Sequence, residues 1–133
     1  MRYMLLIHGR ESGWDNSSEA DRAARYERYG MLQREMEEHG HYMGGDEIDV
    51  ASSVKLVRVR DGKTIVSDGP FSESEEQFGG YFLVDCDQES ALAYAAEIPA
   101  PEGGTIEVRP LVEDDRAHSS SSAASRKPLS DLG

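Results

Sequence analysis

Three side chains in this sequence are suited to moving protons: a histidine, an aspartate and a tyrosine. His8 follows the apolar run Tyr3-Met4-Leu5-Leu6-Ile7. Imidazole titrates near neutrality and serves readily as a general base. Asp68 opens the segment Asp68-Gly69-Pro70-Phe71. Its carboxylate can accept backbone N–H groups one or two residues on, as in an Asx-turn. Alternatively it faces a pocket and orients His8. Tyr29 lies in a helical stretch, where a phenol is either core or a catalytic donor. Four further residues are candidate pocket walls. Trp14 either lids a pocket or packs on a helix start. Phe71 is one large apolar group on the corner made by Gly69 and Pro70, read as a buried anchor. Tyr81 packs in a sheet, and its hydroxyl seeks a partner if buried. Arg109 either neutralises a carboxylate substrate or pairs with a surface glutamate.

Other features carry less chemistry. His39-Gly40-His41 has an H-x-H form, but no third ligand is evident, so no metal is assigned. Cys86 has an acidic residue on each side and reads as a small buried apolar group. There is no Walker loop, no Rossmann glycine pattern and no G-x-S-x-G elbow. No cofactor is expected.

The elements that must position these residues follow from the pattern. Residues 2–8 read as a strand, nearly continuous in apolar side chains. Ser18-Glu19-Ala20-Asp21 has the form of a capping box and starts a helix running to about His39. Tyr29, Leu32 and Met36 form its apolar stripe, with Ala24 and Met31 widening it. Gly40 ends it. His41 to Gly45 reads as a short strand. Val54–Arg60 and Lys63–Val66 are β-branched runs joined by Asp61-Gly62, a two-residue hairpin signal. The acidic stretch 72–76 and a Gly-Gly step lead into a strand from Tyr81 to Cys86. Asp87 caps a helix from Gln88 to about Glu97, with Ala91, Leu92 and Ala95 on its inner side. Thr105 to Leu111 is a last strand, with Ile106 and Val108 inward.

With the hairpin set aside, the order is βαββαβ, the ferredoxin-like arrangement of an antiparallel sheet with two helices on one face. The class is α+β. The first and third core strands are central, and both are apolar on both faces. No helix remains for the second face, so a second copy is its simplest cover. A homodimer with facing sheets is expected, and the inserted hairpin can extend that interface.

A chain of 133 residues is one domain with room for a core. Residues 1–112 form that domain. Residues 113–133 contain four consecutive serines from Ser119 and read as a disordered tail. Net charge is −12, of which the first 112 residues carry −11. Such a domain repels phosphate backbones, which excludes direct nucleic-acid binding and leaves a basic-surfaced partner open. No window reaches the ~18 apolar residues of a membrane span. One cysteine excludes an internal disulfide framework and fits a cytoplasmic location.

The chain resembles the YCII-related family, in its branch with the DGPF signature. The resemblance rests on Tyr3 to Ile7, Val57 to Gly62, Asp68 to Phe71, Glu76 to Tyr81, Ile98-Pro99 and Gly103 to Pro110. It implies a dimeric α+β barrel of ferredoxin-like subunits. The broader group is similar to small-ring isomerases and dehydrochlorinases, some with a helical histidine paired with an aspartate. At the nearest position this chain has Tyr29. The resemblance implies little about activity; the fold, His8 with Asp68 and the rigid Asp68 to Phe71 corner point to a small-molecule-binding homodimer of cofactor-free isomerase or lyase type. The alternative, drawn from the acidic domain and from the resemblance to proteins encoded beside extracytoplasmic-function sigma factors, is a regulatory protein linked to such a factor.

Overall fold

The computed structural model describes residues 1–10, 17–49, 53–71, 76–100 and 103–113. Its elements are β1 (Arg2–Arg10), α1 (Glu19–Glu38), β2 (Tyr42–Glu47), β3 (Lys55–Arg60), β4 (Lys63–Asp68), β5 (Glu76–Asp85), α2 (Gln88–Glu97) and β6 (Thr105–Pro110). Strands β2, β5, β1 and β6 form one antiparallel sheet in that order, and β3 and β4 form a separate hairpin. The architecture is ferredoxin-like α+β, with β1 and β5 central as their apolar runs require.

Alternation along β1 decides the two faces. Tyr3, Leu5 and Ile7 are buried together with Phe82 and Val84 of β5. They pack with Leu32 and Met36 of α1 and with Ala91 and Tyr94 of α2, so both helices cover this one face. Leu5, Met36 and Val84 are fully enclosed. Each contributes about 1.5–3 kcal/mol by leaving water. Met4 and Leu6 point the other way, opposite Leu83 and Tyr81 of β5. No described helix covers that side.

The helix ends are set locally. Ser18 caps α1 by accepting from the Asp21 N–H at 3.0 Å, and Asp87 caps α2 by accepting from Ser90 N–H at 2.7 Å. That second bond holds the Asp87 carboxyl below its ordinary range. Gly40 takes φ 71° just past α1, and the hairpin turn places Asp61 at φ 51° and Gly62 at φ 73°. Positive φ at both central residues is the requirement of a two-residue turn that matches strand twist.

Four expectations need correction. Strand β5 starts at Glu76 rather than Tyr81. Its first half pairs with His8 to Arg10 past a bulge between Ile7 and His8, so backbone pairing extends it without apolar alternation. Met31 and Ala24 are exposed, leaving Leu32 and Met36 as the buried part of the α1 stripe. On α2 the inward residues are Ala91 and Tyr94, and Leu92 is exposed. Phe71 is 82% exposed, not a buried anchor, because no described residue packs over the corner. The tail beyond Glu113 lies outside the described residues. No described helix is long and apolar enough to cross a membrane.

Candidate functional site

Two neighbouring sites lie near the β1–β5 bulge, one on each face of the sheet. On the open face, His8 lies beside Phe78, with ring centroids 5.9 Å apart. The β1–β6 register sets Leu6 opposite Glu107 and His8 opposite Thr105, so His8 and Glu107 are diagonal neighbours on one face. His8 Nε2 donates to Glu107 Oε1 at 3.2 Å. Glu107 Oε2 in turn accepts from Arg109 Nη1 at 3.4 Å. This fixes the tautomer: with Nε2 as donor, Nδ1 is the acceptor nitrogen of the neutral ring. A carboxylate-oriented imidazole is the usual form of a positioned base.

The helix side carries a cleft of about 480 Å³ between α1 and the β2–β5 edge. Its helical wall is Arg22, Arg25, Tyr26, Tyr29 and Gln33. These residues recur at three- and four-residue spacing, so they share one helix face. The opposite wall includes Glu47, and the floor runs from Phe78 through Gly79 and Gly80 to Phe82. Glycine at 45 is required here: a Cβ would sit 2.8 Å from the Tyr81 carbonyl oxygen. The Tyr26 hydroxyl donates to Glu47, 3.0 Å from each carboxylate oxygen. Arg25 Nη2 donates to Ser17 Oγ at 2.7 Å. Burial pushes the Tyr29 phenol up to about 12, with Glu47 adding to the shift and Arg25 opposing it. Tyr29 is therefore a proton-bearing donor across the neutral range, within electrostatic reach of Glu47.

The residues singled out in the sequence separate into these two places and a third. Tyr29 and Tyr81 line the cleft. His8 and Arg109 meet through Glu107 on the open face, so Arg109 has a glutamate partner. Asp68 lies on the hairpin, where it is paired with Lys55, and its side chain is 80% exposed. The hydrogen bond expected to orient His8 thus comes from Glu107, since Asp68 ends β4 in the separate hairpin. Trp14 lies outside the described residues.

His39 and His41 have ring centroids 5.7 Å apart. His39 Nδ1 donates to the Glu35 carbonyl at 2.9 Å, and His41 Nδ1 lies 2.8 Å from the Tyr94 hydroxyl. Among the described residues no group of three or more His, Cys, Asp or Glu could hold a metal. Cys86 is buried, and burial pushes its thiol up.

Sequence reasoning missed Glu107, Glu47, Tyr26 and Arg25. Three of these carried a usable signal. Alternation puts Glu107 opposite in face to Ile106 and Val108. Helical spacing puts Arg25 and Tyr26 four and three residues before Tyr29.

A family model described as the YCII-related domain matches residues 1–114. An uncharacterized protein of Rhizobium meliloti (strain 1021) is 33% identical over 117 residues, covering 84% of this chain and 92% of that protein.

Proposed function

The chain belongs to the YCII-related domain family, and from that premise we infer that it is a small-molecule-binding homodimer whose helix-side cleft takes a small organic acid or its lactone. The observation that carries this reading is the composition of the cleft walls. A proton-bearing phenol and a guanidinium stand on α1, and a carboxylate stands on β2. That set suits cofactor-free isomerisation or elimination next to a carbonyl.

The roles follow from the chemistry of each group. Arg25 receives the substrate carboxylate. The Glu47 carboxylate takes the proton from the carbon beside the carbonyl. The electron pair of that C–H bond moves onto the carbonyl oxygen, and the Tyr29 O–H donates a hydrogen bond to the resulting enolate. Return of the proton to a neighbouring carbon completes an isomerisation. Loss of a leaving group instead completes an elimination. His8, oriented by Glu107, is a second base, placed on the face that the second copy covers. Asp68 and Phe71 are then hairpin residues at the edge of that assembly.

The dimer reading is supported by Met4, Leu6 and Leu83, which share the sheet face that no described helix covers. Facing sheets bury these side chains and close the space around His8.

Thermal shift and calorimetry against small lactones, phenols and dicarboxylates test the binding. Deuterium uptake at the carbon beside the carbonyl tests the chemistry. Stabilisation by a lactone or keto acid that is lost in Glu47→Gln is expected. No stabilisation by any of them would sink the reading. The regulatory alternative is favoured by the acidic body of the domain, and capture of a basic sigma-factor surface without any small-molecule binding would support it.

A further inference from the structure

The β3–β4 hairpin is out of keeping with the rest of the chain in two respects. Of its twelve strand residues only Leu56 is not exposed. An isolated two-stranded hairpin is marginal in water and needs a packed face. The register supplies one: Val57 stands opposite Val66, and Val59 opposite Thr64. Directly paired residues share a face. Val57, Val59 and Val66 are each more than 60% exposed there. The other face is basic, with Arg58 opposite Ile65 and Arg60 opposite Lys63. Charge divides in the same way. From Lys55 to Asp68 four basic side chains face two acidic ones, a net +2, whereas the rest of residues 1–112 has seven basic and 20 acidic, a net −13.

We propose that this hairpin is a docking arm for a second copy of this chain, its valine face packed against the partner beside the facing sheets and its basic side chains turned to the partner's acidic body. The proposal rests on the dimer reading above and adds to it the element that carries the contact and its polarity. A second copy fits better than an unrelated protein for two reasons. The same chain offers both the basic apolar arm and an acidic body with an uncovered sheet face, Met4, Leu6 and Leu83. A two-fold axis lets each copy give one arm and receive the other, which closes the assembly.

Sedimentation of the full chain over a concentration series tests this. Wild type is expected to be dimeric at micromolar concentration, with dissociation promoted by 0.5 M salt, which screens exposed charge contacts. Val57→Thr with Val59→Thr keeps β-branching and removes apolar surface. It is expected to weaken the dimer at least tenfold, and Arg58→Glu with Arg60→Glu to weaken it similarly. Val112→Thr, still more exposed but off the arm, is the unaffected control. Circular dichroism confirms which variants fold. A folded arm variant of either kind that dimerises as tightly as wild type overturns the arm and leaves the facing-sheet dimer standing. A monomeric wild type, including one whose arm captures a different protein, overturns both.

Discussion

The Tyr26 hydroxyl reaches Glu47 from 21 residues away, 3.0 Å from each carboxylate oxygen, and ties α1 to the end of β2 beside the cleft. The bond with Glu47, more than burial, raises the Tyr26 pKa. Tyr26 is exposed, so its bond contributes no more than about 1 kcal/mol. Tyr26→Phe is expected to change the melting temperature by only a few degrees while ligand binding survives. Glu47→Gln keeps the side-chain volume and removes the base. Proton abstraction should then fall at least about 100-fold, read as deuterium uptake by a bound keto acid. Equal losses in the two variants would mean that the bond, not the carboxylate, matters.

Tyr29 gives the alkaline limb. Burial pushes its phenol up to about 12, whereas an unfolded tyrosine ionises near ~10. Between those values the folded chain keeps a proton that the unfolded chain has released. The stability from the neutral phenol is complete below pH ~10 and is lost as pH rises through about 12. The loss is on the order of 2 kcal/mol, reduced by partial solvation of the ring. Tyr29→Phe should flatten this part of the profile relative to wild type, measured by urea unfolding at pH 9 and 11.5. Identical slopes would contradict the assignment.

Leu5 and Leu83 occupy opposite faces of the same sheet and should fail differently. Leu5 is fully buried under the helices. An uncompensated carboxylate there costs several kcal/mol, so Leu5→Asp should abolish folding. Leu83 pairs with Met4 on the open face. Leu83→Asp should leave a folded monomer, seen as native circular dichroism with halved mass in sedimentation. Loss of folding in both would mean that the open face is needed by the protomer itself.

Glu97 meets Glu35 between the C-terminal ends of the two helices. Burial first, and then the bond with Glu35, raises the Glu97 pKa. Neither helix has a basic residue in its last turn to offset this. The folded chain therefore holds the proton more tightly than the unfolded chain. Stability falls as pH rises from the ordinary glutamate range through the raised value. Glu97 is largely exposed, so the effect is a few tenths of a kcal/mol. Glu97→Gln should melt about 1–2 °C higher than wild type at pH 7, and the difference should close near pH 4. A variant less stable at pH 7 would reverse the sign.

What the sequence disclosed is what short-range physics controls. Ser18, Gly40, Asp61-Gly62 and Asp87 each fix a cap or turn through their own backbone and side-chain chemistry. The apolar runs of β1 and Tyr81 to Asp85 were legible because both strands are central. Gly79 and Gly80 hid the first half of β5, since its pairing with β1 is a backbone matter that no side-chain pattern announces. The cleft was hidden for a related reason: Tyr26 and Glu47 come together only when α1 packs over β2. Phe71 was misread because a large apolar side chain on a rigid corner reads as core. Here no described residue covers it.

The Asp68 to Phe71 corner therefore separates two roles that the sequence merged. Gly69 donates its N–H to the Val54 carbonyl at 2.9 Å. A Cβ on Gly69 would lie 2.7 Å from Val54 Cγ1 and 3.2 Å from Val54 Cβ. Val54 would have to move, and overpacking of this kind costs about 1–3 kcal/mol. Gly69→Ala should lower stability by that amount at any protein concentration, because the clash lies within one chain. Phe71→Ala removes an exposed ring and should change the stability of the isolated protomer by less than about 0.5 kcal/mol. If the arm carries Phe71 onto a second copy, its cost grows with protein concentration as the dimer fills. Urea unfolding at two concentrations a hundredfold apart distinguishes these terms. A concentration-independent loss of about 3–5 kcal/mol in Phe71→Ala would return Phe71 to the core of its own chain.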